Sequence, residues 1–321
     1  MKALVIDRIH EDGIALLKQF CEVDVRYPLA REEFAEVIGE YDILIGRATP
    51  ETGSIQAPML ERSGRLKVIG IASVGLDQFD LEYIQSKNIK LINLPGVNSI
   101  SVAEHAIALL LSGIRSIVPA YQQMKNGIWN KHGFPNAMEL HGKTIGIIGF
   151  GNIGKKVGQI AKHGFGMEVL AYDPYIGKSE IMEAGAQPAY FEDLLVQSDV
   201  VSIHAPLTEE TYRLIGKKEI LQMKKDAVLI NVSRGGIIDE EALYECMAKG
   251  HLLFAGIDVQ EKEPCDDLPL FSLDNFISTP HIAGLTSDAL RRAGIQIAKE
   301  CLEYLGVKTS EIHRFTINKG G

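Results

Sequence analysis

One stretch in the middle of the chain limits the possible folds more than any other. Thr144–Gly149 reads as a strand, and Ile145-Gly146-Ile147-Ile148 within it is apolar without alternation, as a strand covered on both faces must be. It runs straight into Gly149-Phe150-Gly151-Asn152-Ile153-Gly154, and a helical pattern over Asn152–Lys162 follows. Glycines in such a turn permit a tight bend, let the backbone approach a pyrophosphate and allow close helix–strand packing, while the helix N-terminus attracts the negative charge. Alone this spacing is a weak signal, and its context strengthens it. The next strand, Glu168–Tyr172, ends at Asp173, near the spacing of about 20 residues expected for an acid that binds adenosine ribose hydroxyls. A carboxylate there repels a 2′-phosphate, and Asp173-Pro174-Tyr175-Ile176-Gly177 contains no Arg, so NAD is expected over NADP. The bland alternative is a turn and a strand-end Asp with no ligand.

The same alternation of apolar runs and helical patterns extends along the chain. Strands are predicted at Ala3–Asp7, Asp42–Gly46, Lys67–Ile71 and Ile89–Ile92, then at Asp199–His204, Ala227–Val232, Leu253–Ile257 and Phe276–Thr279. Helices are predicted at Glu11–Phe20, Leu81–Lys87 and Glu240–Lys249. Strands separated by helices of this length imply parallel sheets built from right-handed crossovers. The residues before Thr144 have their own strand–helix order, which suggests a second domain interrupted by the nucleotide-binding one. A break falls near Asn98. Ser101-Val102-Ala103-Glu104 has capping-box spacing, and the helix it opens, about 100–114, is apolar on nearly every side and so is expected to be buried all round.

Composition narrows the class. At 321 residues two domains are expected. A net charge of -9 supplies no basic face for nucleic acid or an anionic membrane, and no apolar run is long enough to cross a bilayer. Cys21, Cys246, Cys265 and Cys301 are scattered without metal-ligand spacing, as expected for reduced thiols of a cytoplasmic protein with no metal. Met1–Asp7 reads as a first strand and not as a signal peptide, and Lys308–Lys319 as a polar tail.

Three segments after predicted strands carry reactive residue types: Asn231-Val232-Ser233-Arg234-Gly235-Gly236, Asp258 through Glu263-Pro264, and Thr279-Pro280-His281-Ile282-Ala283-Gly284. Open α/β sheets place their sites there. Arginine meets a carboxylate in bidentate fashion, histidine exchanges protons near neutral pH, and a carboxylate beside an imidazole favours its protonated form. Taken singly each has an ordinary reading: a solvated loop Arg, an exposed turn acid, a helix-capping His.

Together these segments, with Asn98–Glu104 and His204-Ala205-Pro206-Leu207-Thr208, make the chain resemble the D-isomer-specific 2-hydroxyacid dehydrogenases, a family that includes phosphoglycerate dehydrogenase and the glyoxylate and hydroxypyruvate reductases. The resemblance covers almost the whole chain. It implies an α/β fold of two doubly wound parallel-sheet domains, a Rossmann-type NAD domain (99–284) inserted into a flavodoxin-like substrate domain (1–98 plus 285–321), with a cleft between them. It implies that Arg234 holds the substrate carboxylate and carbonyl, that His281 is acid in reduction and base in oxidation, and that Glu263 pairs with its imidazole. The NAD contacts it implies are Gly149, Gly151, Asn152, Ile153, Gly154, Asp173, His204, Ala205, Pro206, Val232, Ser233, Arg234, Asp258, His281 and Gly284. Ser73-Val74-Gly75 and Asn98 would help receive a small 2-keto or 2-hydroxy acid. A homodimer through the 100–114 helix region is also implied.

The departures leave the substrate open. The Arg-Ala-Gly-x-Gly-x-Asp of the phosphoglycerate group appears as Ile71-Ala72-Ser73-Val74-Gly75-Leu76-Asp77, which is more similar to the glyoxylate and hydroxypyruvate reductases, although Arg47 remains in a segment like the first group's. The regulatory domain of some phosphoglycerate dehydrogenases is not expected here. L-lactate and malate dehydrogenases carry the glycine motif near the N-terminus, unlike this chain. A formate dehydrogenase-like variant would be expected to carry Gln where Glu263 stands. An NAD-sensing interaction protein of the same fold is the alternative from a different class.

Overall fold

The computed structural model describes residues 1–47, 55, 57–76, 79–308 and 310. Asp77 and most of the 308–319 tail lie outside the described residues. The chain divides into two compact units, Met1–Asn98 with Leu285–Gly321, and Ser99–Gly284.

The first unit begins with strands β1 (Lys2–Val5), β2 (Glu22–Val25), β3 (Ile43–Gly46), β4 (Val68–Ile71) and β5 (Lys90–Ile92), and helices α1 (Glu11–Leu17), α2 (Arg31–Val37) and α3 (Leu81–Ser86). The strands are parallel in the order β2-β1-β3-β4-β5, a doubly wound arrangement. β3 and β4 are buried along their whole length, which accounts for their unbroken apolar sequences. β2 was not predicted. Glu22-Val23-Asp24-Val25 is a half-exposed edge strand, too short and too charged to stand out.

The second unit contains α4 (Ser99–Ile114), α5 (Ile117–Lys125), β6 (Thr144–Ile148), α6 (Asn152–Phe165), β7 (Glu168–Tyr172), α7 (Lys178–Glu183), β8 (Gln187–Pro188), α8 (Phe191–Gln197), β9 (Val200–Ile203), α9 (Lys217–Gln222), β10 (Val228–Asn231), α10 (Glu240–Ala248), β11 (Phe254–Ile257) and β12 (Phe276–Ser278). Its seven strands are parallel, in the order β12-β11-β10-β9-β6-β7-β8. Neighbouring β6 and β9 mark the point where strand order reverses, the place where open α/β sheets bind their ligands. α4 and α6 cover one face of the sheet over Ile145, Ile147 and Val228, while Leu194, Ile220 and Leu243 cover the other over Val201, Ile203 and Leu229. Each fully buried Ile, Leu or Val contributes roughly 1.5–3 kcal/mol to this core. The last helix, α11 (Ser287–Tyr304), returns to the first unit and packs on α1 and β4. Gly13 and Gly294 let α1 and α11 approach so closely that a side chain at Gly13 would overlap the Gly294 backbone.

Two expectations about the 100–114 helix are corrected. It starts at Ser99, so Ser101 lies inside its first turn and does not cap it. Nor does this chain by itself bury it all round. Val102, Ala103, Ala106, Leu109 and Leu110 enter the core of their own unit, whereas Ile100, Glu104 and Ala108 form an exposed line four residues apart. Further apolar side chains stand exposed beyond it. No residue of α5 is buried, Tyr121 is 64% exposed, and Trp129 just beyond it is 80% exposed. Among the described residues no single helix is long and apolar enough to cross a membrane.

Candidate active site

The glycine turn between β6 and α6 shows what each glycine is for. Gly149 has a φ of 86°, in the left-handed region, and a Cβ there would overlap the backbone of His204 and Ala205. A Cβ on Gly154 would overlap the Gly149 carbonyl. Gly151 differs: nothing lies near the position of its Cβ. It is also the N-cap of α6 and offers no side chain to the first helical amides, which include those of Asn152 and Ile153. Open space beside uncapped amides at the start of a 14-residue helix suits a diphosphate. Asp173 is fixed beside the turn, its Oδ2 accepting from the Phe150 amide at 2.8 Å and its Oδ1 from the Tyr175 amide at 2.9 Å. These residues fit NAD.

His204, after β9, shares a 2.8 Å hydrogen bond between its Nε2 and Ser202 Oγ. Burial pushes its pKa down to about 3, so the ring is neutral at ordinary pH. Its buried Nδ1 has no partner among the described residues. Ala205 is buried, and the Pro206 carbonyl accepts from Thr211 Oγ1 at 2.6 Å, which holds the His204–Pro206 loop against the next turn.

The reactive types stand after β10, β11 and β12. Asn231, buried at the end of β10, shapes the Arg234 loop. Its Oδ1 accepts from the Ser233 amide (3.0 Å) and hydroxyl (2.7 Å), and its Nδ2 donates to the Arg234 carbonyl (2.9 Å). Val232 and Ser233 are buried, and Arg234 Nη1 donates to the Ser233 carbonyl at 2.8 Å. After β12, Nδ1 of half-exposed His281 meets Glu263 Oε2 at 2.8 Å. The bond to Glu263 raises the His281 pKa; burial and the Arg234 charge oppose this, and the charges of Glu263 and Asp258 assist it. For Glu263, burial acts upward, but the His281 bond and charge, the Gln260 amide and the Arg234 charge outweigh it, leaving the carboxyl below its ordinary value.

His281 has a φ of 54°, a left-handed conformation uncommon for a residue with a side chain. Asp258 and Thr279 hold it there. The His281 amide donates to the Asp258 carbonyl at 2.8 Å and to the Thr279 carbonyl at 3.0 Å. The Asp258 carboxylate is fully buried and accepts from the Ile282 amide (2.9 Å), the Ala283 amide (2.8 Å) and the Thr279 hydroxyl. Because that hydroxyl donates to Asp258, it accepts at 2.9 Å from Nε2 of His105 on α4. Asp258, one of the expected NAD contacts, shapes the His281 turn. Half-buried Gly284 closes that turn.

The expected substrate residues Ser73, Val74, Gly75 and Asn98 belong to the first unit, whereas Arg234, Glu263 and His281 belong to the second. Ser73 Oγ donates to the Arg47 carbonyl at 3.2 Å, and the Val74 carbonyl accepts from Asn93 Nδ2 at 2.7 Å. Arg47 is anchored through its amide, which donates to Asp7 Oδ2 at 3.0 Å, while its buried Nε has no partner among the described residues. Asn98 is half-buried in the turn before α4. Sequence reasoning gave Gln260, Thr279, His105 and Asn231 no role of their own. For Asn231 the available signal was a polar residue ending the apolar run Val228-Leu229-Ile230.

Comparison with known proteins identifies the family. The family described as D-isomer specific 2-hydroxyacid dehydrogenase, NAD binding domain, matches residues 107–283. The chain is 40% identical over 312 residues to a D-3-phosphoglycerate dehydrogenase of Methanocaldococcus jannaschii, covering 97% of this chain and 59% of that one. It is 38% identical over 310 residues to a hydroxypyruvate reductase of Thermotoga maritima, covering 94% of this chain and 98% of that one. Among solved structures, an acyclic imino acid reductase (Bsp5) in complex with NADPH and D-Arg superposes with a TM-score of 0.83 at 30% identity, covering 95% and 97% of the two chains. The chain belongs to the D-isomer-specific 2-hydroxyacid dehydrogenase family and carries that family's NAD-binding domain. It spans 59% of the length of the phosphoglycerate dehydrogenase it matches and nearly all of the hydroxypyruvate reductase.

Proposed function

We propose that this chain is an NAD-dependent dehydrogenase acting between a small 2-keto acid and its D-2-hydroxy acid. The observation that carries the reading is the His281–Glu263 pair, 2.8 Å apart, in the unit that holds the glycine turn. Bound NADH would supply the hydride that reduces C2 of the keto acid. His281, kept protonated by Glu263, gives a proton from Nε2 to the carbonyl oxygen, and takes it back when the hydroxy acid is oxidised. Arg234 holds the substrate carboxylate and polarises the carbonyl. Ser73, Val74, Gly75 and Asn98, in the first unit, are the further residues expected to take part in substrate binding. Asp173, set against the glycine turn, favours NAD over NADP.

Hydroxypyruvate, glyoxylate and phosphohydroxypyruvate are the substrates to separate. The Ser-Val-Gly turn favours the first two. NADH oxidation at 340 nm against these acids, pyruvate and 2-ketoglutarate, repeated with NADPH, tests the reading. No turnover with any of them while NADH binds would overturn it in favour of an NAD-sensing role.

The exposed apolar side chains Ile117, Tyr121, Met124, Ile128 and Trp129 support a homodimer built on α5 and the segment after it, in place of the more buried 100–114 helix. Tyr121→Asp is expected to lower the mass seen by light scattering. An unchanged mass would move the interface elsewhere. Four unpaired cysteines and an acidic surface support a cytoplasmic protein with no nucleic-acid or membrane partner.

A further inference from the structure

Gln260 lies where the three reactive loops meet, and it is buried, with 6% of its surface exposed. Its main-chain amide donates to Glu263 Oε1 at 3.2 Å. Its side-chain nitrogen donates to Ser278 Oγ at 2.6 Å and to the Thr279 carbonyl at 3.3 Å, on the strand end that leads into His281. Its carbonyl lies against Gly235, next to Arg234, so closely that a Cβ at Gly235 would overlap it. We propose that Gln260 is a positioning residue for proton transfer, tying the Glu263 loop to the His281 loop so that Glu263 Oε2 stays on His281 Nδ1. This rests on the reading of Glu263 and His281 as the proton-transfer pair.

The chemistry of the side chain fits this task. A carbonyl can only accept, so the Thr279 oxygen requires the NH2 end of the carboxamide, and the two hydrogens of that group match the two acceptors. Holding Oε1 by the Gln260 amide leaves Oε2 to face the imidazole. A side chain of similar length without hydrogens to give, such as Met, would leave the Thr279 carbonyl without this donor and the two loops free to separate. Asp258 braces the same turn from the other side, through Ile282, Ala283 and the Thr279 hydroxyl, but it does not touch Glu263 in any hydrogen bond described. Other charged groups of this unit near the pair are Asp258 and Arg234, which act on His281, and Glu240, which acts across from Glu263. His105 reaches the Thr279 hydroxyl. All of these are retained in the substitution below.

The test is the titration of the His281 imidazole by NMR in the full-length chain, its signal identified by its loss in His281→Ala. Gln260→Met is expected to lower the His281 pKa by about half a unit to one unit, as a loosened carboxylate bond stabilises the protonated ring less. NADH affinity is expected to stay that of the parent. In a Glu263→Gln background, the same substitution is expected to add no further shift, because it acts through Glu263. An unchanged titration in Gln260→Met, or a shift that persists in the Glu263→Gln background, overturns the proposal. If Gln260→Met does not melt cooperatively, Ser278→Ala removes one acceptor with a smaller change, and the shift in that variant decides in its place. The titration needs no turnover. Absent 2-keto acid reduction would therefore defeat the enzymatic reading and leave the positioning result standing, and the converse also holds.

Discussion

The two halves of the seven-stranded sheet end in loops built on opposite principles. After β6 and β7 the loop is shaped by what its residues lack. Gly149 and Gly154 have no side chain because backbone fills the place, and Gly151 has none although the place is empty. After β10, β11 and β12 the loops are shaped by buried polar groups, Asn231, Asp258 and Gln260, which hold charged side chains at set distances. A diphosphate needs room and free amides, which glycines provide. An acid–base pair needs a fixed separation, and only side chains satisfied on several sides provide that.

The sharpest break with this contrast would come from the second half. His281→Ala should lower kcat for keto-acid reduction by roughly 10²–10⁴-fold, the usual share of general acid catalysis, while NADH binding followed by fluorescence stays intact. An unchanged kcat would remove His281 from the chemistry. Glu263→Gln should move the alkaline limb of kcat/KM for reduction to lower pH. The sign follows from the raised His281 pKa: reduction needs the protonated ring, and losing the carboxylate lowers the pH at which that ring deprotonates. A loss of about tenfold at pH 8 corresponds to one pKa unit. A limb that does not move would mean that the 2.8 Å contact leaves the working proton untouched.

In the first half the glycines separate two costs. Gly154→Ala should destabilise the fold by about 1–3 kcal/mol, because its Cβ meets the Gly149 carbonyl. Gly151→Ala should leave the melting temperature nearly unchanged and weaken NADH binding. The reverse pattern would place the diphosphate elsewhere. His204 supplies a pH test of stability. Its folded pKa is about 3 against an ordinary value of 6.5, so its contribution is complete above the ordinary value and is lost as pH falls towards 3. Between pH 6.5 and 5.5 the parent should lose about 1 kcal/mol more than His204→Gln in urea melts. The smallest effect is expected from Asp173→Ala, roughly 1 kcal/mol of NADH affinity and a narrower margin over NADPH. A margin that does not narrow would end the ribose assignment.

The parallel α/β class was legible because buried strands such as Ile145–Ile148 show unbroken apolar runs and the helices between them show their own period. β2 and β8 were not legible. Glu22–Val25 and Gln187–Pro188 are short edge strands whose pairing is settled by β1 and β7, and not by their own residues. For the same reason the capping spacing at Ser101 misled: Ser99 already lies in the helix and is buried in its unit. Chain-local chemistry proposed a cap, and packing chose another start. In the candidate site, the residue types on each loop could be read, since Arg, Glu and His after strand ends are visible one segment at a time. The contacts that orient them could not. Gln260 is only a polar residue between Val259 and Glu261 until β11 and β12 bring it against Ser278 and Thr279.

By itself, then, the sequence determined the alternating parallel architecture, the glycine turn with its acid, and the presence of an arginine, a carboxylate and an imidazole on successive loops. These follow from periodicity and residue chemistry, which act over a few residues. Tertiary structure alone decided that Gln260 meets Ser278 and Thr279, that Asp258 shapes the His281 turn, and that apolar side chains stand exposed on α5 and just beyond it. Those depend on which distant segments the sheet brings side by side, and hydrogen bonds of about 3 Å have no trace in the order of residues along a chain.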